Sequence, residues 1–188
     1  MSTTATTERT VEASARFKAR SAGVLYLLTF MTGFTALFVR GRLGIVSGVI
    51  ASGCYVAVTL LFYYIFKPVN RSVSLVAALV SFVGCAIGPV GLVVHAASAI
   101  NPLVFFGFYC LLIGYLIFRS TFLPRILGLL MAIGGLGWLS FLSPQVANYL
   151  SPFNFFPGIL GEGALTVWLL VSGVNVQRWK EQAHAAGQ

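Results

Sequence analysis

The stretch Leu43–Phe66, LGIVSGVIASGCYVAVTLLFYYIF, contains no charged side chain. It is longer than the roughly 20 residues that an α-helix needs to cross the ~30 Å hydrocarbon layer of a membrane. Arg40 and Arg42 precede it, and Lys67 and Arg71 follow it. A strand of a membrane barrel would alternate apolar and polar residues over about ten positions, and this stretch shows no such alternation. It therefore predicts a transmembrane helix.

Five further apolar runs repeat this pattern along the chain. Hydrophobic residues make up 58% of the 188 residues and charged residues only 9%, whereas about a quarter of a soluble domain is charged. Backbone groups in lipid must find their hydrogen bonds within the protein, as they do in a helix. We therefore predict an all-α, polytopic integral membrane protein, a bundle of six transmembrane helices. The predicted spans are Ser21–Val39, Leu43–Phe66, Ser72–Ala97, Pro102–Phe118, Pro124–Leu142 and Phe155–Val176.

The predicted spans leave little chain for a separate soluble domain. We predict a polar, partly disordered tail over residues 1–20, a membrane domain over 21–176 and a second tail over 177–188. A cleaved signal peptide is not predicted, because its apolar core would follow the basic start closely and be shorter than this first run.

Basic residues fall mostly on one side of the predicted topology. Alternate loops and tails hold ten on one side and two on the other. The positive-inside rule assigns the richer side to the cytoplasm, so we predict that both termini are cytoplasmic in the inner (plasma) membrane of a bacterial cell. Rims that face anionic lipid headgroups explain the net charge of +8, so the predicted partner is the lipid bilayer and not a nucleic acid. The ten are Arg9, Arg16, Lys18, Arg20, Lys67, Arg71, Arg119, Arg125, Arg178 and Lys180; the two are Arg40 and Arg42.

Small residues recur at helix-contact spacing in two of the spans. Gly44 and Gly48 lie one turn apart in the second span, and Gly84 and Gly88 do so in the third. Such pairs let helix backbones approach closely. They indicate contacts within the bundle, and a homo-oligomer formed through either pair is the alternative.

Metal and cofactor sites are not predicted. The three cysteines, Cys54, Cys85 and Cys110, fall in three different spans, without the close spacing of a metal site or the pattern of a disulfide framework. A haem held by two histidines would need both within the bundle, and the predicted spans contain one, His95.

Glu162 is the only acidic residue inside a predicted span. An ionised carboxylate there costs several kcal/mol unless it is paired, neutralised or in contact with water. We predict that it faces the bundle interior in the outer leaflet, with His95, Asn101 or Arg42 as partner, and that these four residues form a substrate-binding group. Glu162 and His95 are also the candidate catalytic residues, because a Glu–His pair can relay protons. A packing acid without function is the alternative.

Several short motifs are distinctive in combination: GVLYLLTF (Gly23–Phe30), CYVAVT (Cys54–Thr59), KPVNRS (Lys67–Ser72), FFGFYC (Phe105–Cys110), GYLIFRS (Gly114–Ser120), LPRILG (Leu123–Gly128), PG (Pro157–Gly158), GE (Gly161–Glu162) and WLL (Trp168–Leu170). Together they resemble the domain of unknown function 4386, a bacterial family of small multi-span membrane proteins. Relative to that family, the chain has a short segment at Arg40–Leu43 and lacks charged residues near Ser81 and Gly84. The resemblance implies the membrane class and the fold, and it supplies no activity.

Three functions fit these observations. The first is a non-enzymatic membrane protein, a small transporter-like unit or an accessory subunit, with a polar outer-leaflet cavity around Glu162. The second is an intramembrane enzyme that acts on a lipid-derived substrate with Glu162 and His95 as its acid–base pair. The third is a structural bundle that binds a partner protein. A cavity that reaches Glu162 would favour the first two over the third.

Overall fold

A computed structural model describes the backbone of residues 2–94 and 101–187 and the side chains of residues 15–90 and 101–187. Within these ranges the chain is helical and contains no strand, which confirms the all-α class. A 3-10 turn at Ser140–Leu142 follows the fifth helix. The helices are α1 (Ser2–Phe38), α2 (Arg42–Phe66), α3 (Arg71–Val94), α4 (Leu103–Arg119), α5 (Arg125–Leu139), α6 (Pro144–Leu150), α7 (Phe155–Val171) and α8 (Val176–Ala185).

Four helical segments of the described chain are long and apolar enough to cross a membrane: Ala15–Phe38, Arg42–Phe66, Arg71–Val90 and Arg125–Leu142. Helices α6 and α7 add a fifth if they count as one span, although the chain bends by 80° between them. Helix α4 is equally apolar but only 17 residues long. The helices therefore define a membrane protein with four or five candidate spans, and the count of six remains a prediction.

Six of the helices pack in a closed ring. Each of α1 to α4 contacts the next helix along the chain, and α7 contacts both α5 and α1. Short connections join α1 to α2, α2 to α3 and α4 to α5, so these neighbours run antiparallel. The inward faces of all six helices consequently surround one shared interior.

Glycines bring α4 and α5 into close contact. A Cβ atom on Gly114 would lie 2.8 Å from the carbonyl oxygen of Gly128, and one on Gly128 would lie 2.7 Å from that of Gly114. Gly107 and Gly135 form a second such pair seven residues away on each helix. A Cβ atom on Gly107 would lie 3.0 Å from the carbonyl oxygen of Gly135, and one on Gly135 would lie 2.8 Å from that of Gly107. Each helix thus presents glycine where the other's backbone approaches, which is the packing that small residues allow in membrane bundles.

The predicted glycine pairs of α2 and α3 make contacts within the chain. Gly84 faces Phe105 and Phe106 of α4, and a Cβ atom there would lie 3.0 Å from the Cβ atom of Phe105. Gly44 faces the backbone carbonyl of Val39. Gly84 thus contacts another helix and Gly44 the turn before its own helix, and a homo-oligomer through either pair stays a prediction.

Both predicted tails contain helix. Helix α1 begins at Ser2 and includes the N-terminal segment. The predicted tail after residue 176 forms α8, where Asn175 Oδ1 accepts a hydrogen bond from the Arg178 amide at 3.1 Å and so caps the helix. The Trp179 indole donates to the carbonyl of Ile65 at 2.9 Å, which holds α8 against the end of α2.

Candidate functional site

Glu162 lies inside the ring with 5% of its surface exposed. Its Oε1 atom accepts a hydrogen bond of 2.7 Å from the indole nitrogen of Trp138 on α5. The same oxygen accepts one of 3.3 Å from the Cys110 thiol on α4. Three helices therefore meet at this carboxyl group.

Two tyrosines extend the polar group to α1 and α2. The hydroxyl oxygens of Tyr26 and Tyr55 lie 3.3 Å apart, and both residues line the same cavity as Glu162. Both side chains are buried. Polar side chains from four other helices of the ring thus lie around this site, and those of Trp138 and Cys110 donate hydrogen bonds to Glu162.

A cavity of about 270 Å³ ends at this group. Glu162, Tyr26, Tyr55 and Trp138 form its floor, and residues of all six ring helices contribute to its walls. Glycine and other small residues leave the space open; the small wall residues are Gly33, Ala36, Gly48, Ala51, Ser52 and Gly88. The cavity therefore runs from the polar group along the axis of the ring.

The cavity opens towards the end of the bundle where α1 ends and α2 begins. Along the α1 wall the exposed fraction rises from 0% at Tyr26 to 40% at Phe34 and 62% at Leu37. Arg40 and Arg42 lie just beyond Leu37 in the chain and are exposed. The polar floor is thus the deep end of the cavity, and its mouth is on the side of these two arginines.

Aromatic rings form much of the wall. Phe106 lies over Tyr55 with 4.6 Å between ring centroids, and Phe155 meets Trp138 edge to face at 5.8 Å. Phe30 stacks on Tyr26 at 5.8 Å. Of the described residues that line the cavity, none is Lys, Arg or His.

The structure tests the predicted partners of Glu162 only in part. His95 lies outside the described residues. Asn101 is exposed just before α4, where its Oδ1 accepts a hydrogen bond of 3.0 Å from the Leu103 amide. Arg42 is the exposed first residue of α2, about 20 Å along that helix from Tyr55 at 1.5 Å per residue. Neither Asn101 nor Arg42 joins Glu162, because each lies at the end of its helix and Glu162 lies deep between helices.

Sequence reasoning missed the partners that Glu162 does have. Neither Cys110 nor Trp138 is predicted from the sequence to contact Glu162. One signal was present: Tyr26 and Tyr55 each fall well inside a span, and a buried tyrosine hydroxyl usually has a hydrogen-bond partner. That signal does not say which helix supplies the partner.

No group of three His, Cys, Asp or Glu side chains within the described part of the chain is arranged to hold a metal ion. Around Glu162 the described side chains provide one carboxyl group, one thiol, two phenols and one indole, and Thr29 and Ser52 add hydroxyl groups to the cavity wall. These groups can donate and accept hydrogen bonds, and the carboxyl group can exchange a proton.

Apolar helices of spanning length around a buried, hydrogen-bonded acid define a membrane protein of the all-α class. The model of one protein family, described as a domain of unknown function (DUF4386), matches residues 40–103 and 93–173. The chain belongs to this family. It is also 27% identical, over 127 residues, to an uncharacterised protein of Archaeoglobus fulgidus; the match covers 63% of this chain and 76% of the relative. No solved structure matches the chain.

Proposed function

We propose that the protein is a non-enzymatic, six-span protein of a bacterial inner membrane, either a small transporter-like unit or an accessory subunit, with both termini in the cytoplasm. Its cavity takes up a small, mostly apolar ligand from the outer side, and Glu162 holds the polar part of that ligand. The observation that carries this proposal is the cavity that ends at Glu162. A solid core around a capped acid would have supported a purely structural bundle instead.

The ring supports six spans. Helices α4 and α7 have 17 residues each, or about 25 Å at 1.5 Å per residue, which is the lower end of what crosses a membrane. Both are full members of the ring. Gln182 Oε1 of α8 accepts a hydrogen bond of 3.1 Å from the Thr121 amide, so the connection after α4 and the helix after α7 are at the same end of the bundle.

The distribution of charge supports the orientation. The end of the bundle that carries α8 also carries the connections after α2 and α4, and with them most of the basic residues. Arg40 and Arg42 are at the opposite end, where the cavity opens. By the positive-inside rule the cavity would open to the outside.

The size of the cavity limits the ligand. It is larger than the ~150 Å³ cavity that holds benzene, and it is just below the ~300 Å³ lower limit of pockets for drug-sized ligands. A ligand of one ring or a short chain with a small polar head would fit. The alternative of a Glu162–His95 acid–base pair has no supporting geometry, since His95 lies outside the described residues.

Thiol labelling tests whether the cavity opens to the outside. Ser52 lines the cavity, whereas the next residue, Gly53, is exposed on the outside of the bundle, and a Cβ atom there would contact nothing within 4 Å. In a background whose native cysteines are replaced, a membrane-impermeant maleimide added to spheroplasts should label Ser52→Cys and leave Gly53→Cys unlabelled in lipid.

A cavity-filling variant provides the control. Gly33 also lines the cavity, with nothing within 4 Å of its Cβ position, so Gly33→Leu should fold normally and slow the labelling of Ser52→Cys. If Ser52→Cys reacts only after detergent is added, or if Gly33→Leu leaves its rate unchanged, the cavity is not open to the outside and the proposal is wrong.

A further inference from the structure

We infer that the ligand of this cavity is a small organic cation whose positive group pairs with the Glu162 carboxylate and takes the place of a proton. The inference rests on the proposed function and specifies the chemical class of its ligand. It depends on the charge of Glu162, on the rings around the cavity and on the cavity's size.

Glu162 has hydrogen-bond donors but no counter-charge within the described part of the chain. Its hydrogen-bond partners there are an indole and a thiol, and the two phenols line the same cavity; all of them are neutral groups. A carboxylate buried in a membrane costs several kcal/mol unless it is paired, neutralised or in contact with water. No side chain of the described residues pairs with it by charge, so a proton can neutralise it, and a cation that enters the cavity can take the place of that proton.

Aromatic rings line the cavity, and such rings attract organic cations. An ammonium group within about 6 Å of an aromatic centroid is attracted to the ring face, and aromatic cages recognise quaternary ammonium ions in this way. Trp138, Tyr26 and Tyr55 surround the carboxyl group itself, and Phe30, Phe106 and Phe155 continue the wall towards the mouth. The charged head of such a ligand would contact the floor, and its apolar part would contact the phenylalanines.

An anionic ligand is disfavoured by the same features. The described lining contains one acid and no basic side chain, so a second negative charge would be repelled without compensation. A neutral apolar ligand could fill the cavity but would leave the protonation of Glu162 unchanged. A neutral ligand and a cationic ligand of the same shape can therefore be distinguished by the effect of the ligand's charge on binding.

Binding of the cation is balanced by the release of one proton. The O–H bond of the Glu162 carboxyl group breaks, its proton passes through the open cavity to water, and the carboxylate that remains pairs with the cation. The titratable groups that face Glu162 from the other ring helices are Tyr26 on α1, Tyr55 on α2 and Cys110 on α4. None of them is a carboxylic acid, so Glu162 is the group among these that gives up the proton.

A pair of probes with the same shape tests the charge requirement. Benzyltrimethylammonium carries a permanent positive charge, and neopentylbenzene is its neutral carbon analogue. Binding of each to the full-length protein in lipid nanodiscs is measured by equilibrium dialysis, with empty nanodiscs correcting for partition into lipid. The variant is Glu162→Gln, which keeps the shape and removes the charge; the control is Glu181→Gln, in the exposed helix α8 far from the cavity.

We expect the native protein and Glu181→Gln to bind the cation, and Glu162→Gln to bind it about tenfold or more weakly. The affinity for the cation should rise with pH, because the proton is its competitor, and that dependence should disappear in Glu162→Gln. The variant Cys110→Ser, which keeps a donor to Glu162, should retain the dependence.

The outcomes separate the two proposals. If both probes bind equally and Glu162→Gln changes neither affinity, the cavity binds apolar ligands and the cation inference is wrong while the proposed function stands. If neither probe binds to the native protein, or if both bind equally well to the cavity-filling variant Gly33→Leu, the cavity is not a binding site and both proposals fail.

Discussion

The indole nitrogen of Trp138 lies 2.7 Å from Oε1 of Glu162 and links α5 to α7 at the floor of the cavity. Trp138 is almost fully buried, and its ring also packs against Phe155. One side chain thus supplies a hydrogen-bond donor to the acid and an aromatic face to the cavity. This dual role makes the pair the most direct place to test the site.

We expect Trp138→Phe to lower the free energy of unfolding by about 1–3 kcal/mol, because the acid loses a buried donor. Glu162→Leu should cost a similar amount, because it strands the indole N–H and the Cys110 thiol. In the double variant the two costs should fall short of additivity by about 0.5–3 kcal/mol, the coupling typical of residues in contact. Thermal unfolding in detergent measures all three.

Trp168→Phe is the matched control for the comparison of Trp138→Phe, Glu162→Leu and their double variant. Trp168 lies on α7 but does not line the cavity. Trp168→Phe should be additive with Glu162→Leu. Full additivity of Trp138→Phe with Glu162→Leu would show that the hydrogen bond contributes nothing to stability.

A second prediction concerns the contact of α4 with α5. Gly128→Ala would bring a methyl group within 2.7 Å of the Gly114 carbonyl oxygen, and backbone atoms cannot move aside as a flexible side chain does. We expect a loss of about 1–3 kcal/mol, the usual cost of overpacking. Gly53→Ala, in α2 with nothing within 4 Å, should be neutral or stabilising by about 0.5–1 kcal/mol. Equal melting temperatures for the two variants would contradict the close approach.

A third prediction concerns the contact of α2 with α3. The hydroxyl oxygens of Thr59 and Ser81 lie 2.7 Å apart and are buried. Ser81→Ala should lower stability by about 0.6–2 kcal/mol, the range for hydrogen bonds between membrane helices. Ser74 is also buried on α3, but its hydroxyl group has no partner among the described residues, so Ser74→Ala should cost nothing. A larger loss from Ser74→Ala than from Ser81→Ala would contradict the assignment of this bond.

The helical elements could be predicted because each apolar run is long enough to decide its own structure. The predicted span Leu43–Phe66 differs from α2 by one residue, since arginine and lysine mark where the apolar run stops. The end of the sixth span was predicted less well: α7 ends at Val171, and Gly173 adopts a positive φ of 67° in the turn to α8. The capping residue Asn175 was the local signal in the sequence for the start of α8.

Of the candidate site, only the acidic residue Glu162 could be predicted from the sequence, and its hydrogen-bond partners could not. A single carboxyl group in a span is conspicuous, whereas its partners depend on which face of each helix turns inward. Cys110 and Trp138 come from α4 and α5, whose relative rotation is fixed by the glycine contacts of Gly114 with Gly128. Nothing in the local sequence around Glu162 encodes that rotation, and for this reason Asn101 and Arg42 were wrongly expected beside it.

The last prediction concerns the number of spans, which decides on which side the connection after α4 lies. If α4 crosses the membrane, Thr121 and Ala186 share the cytoplasmic side, and Arg40 and Tyr149 share the outer side. In the cysteine-replaced background, an impermeant maleimide should then label Arg40→Cys and Tyr149→Cys in spheroplasts, and should label Thr121→Cys and Ala186→Cys only after permeabilisation. All four positions are exposed, so a difference in labelling reports the side of the membrane and not burial.

If α4 did not cross, Thr121→Cys and Ala186→Cys would react from outside together with Arg40→Cys, while Tyr149→Cys would be protected. That pattern would reduce the bundle to five spans and place the termini on opposite sides of the membrane.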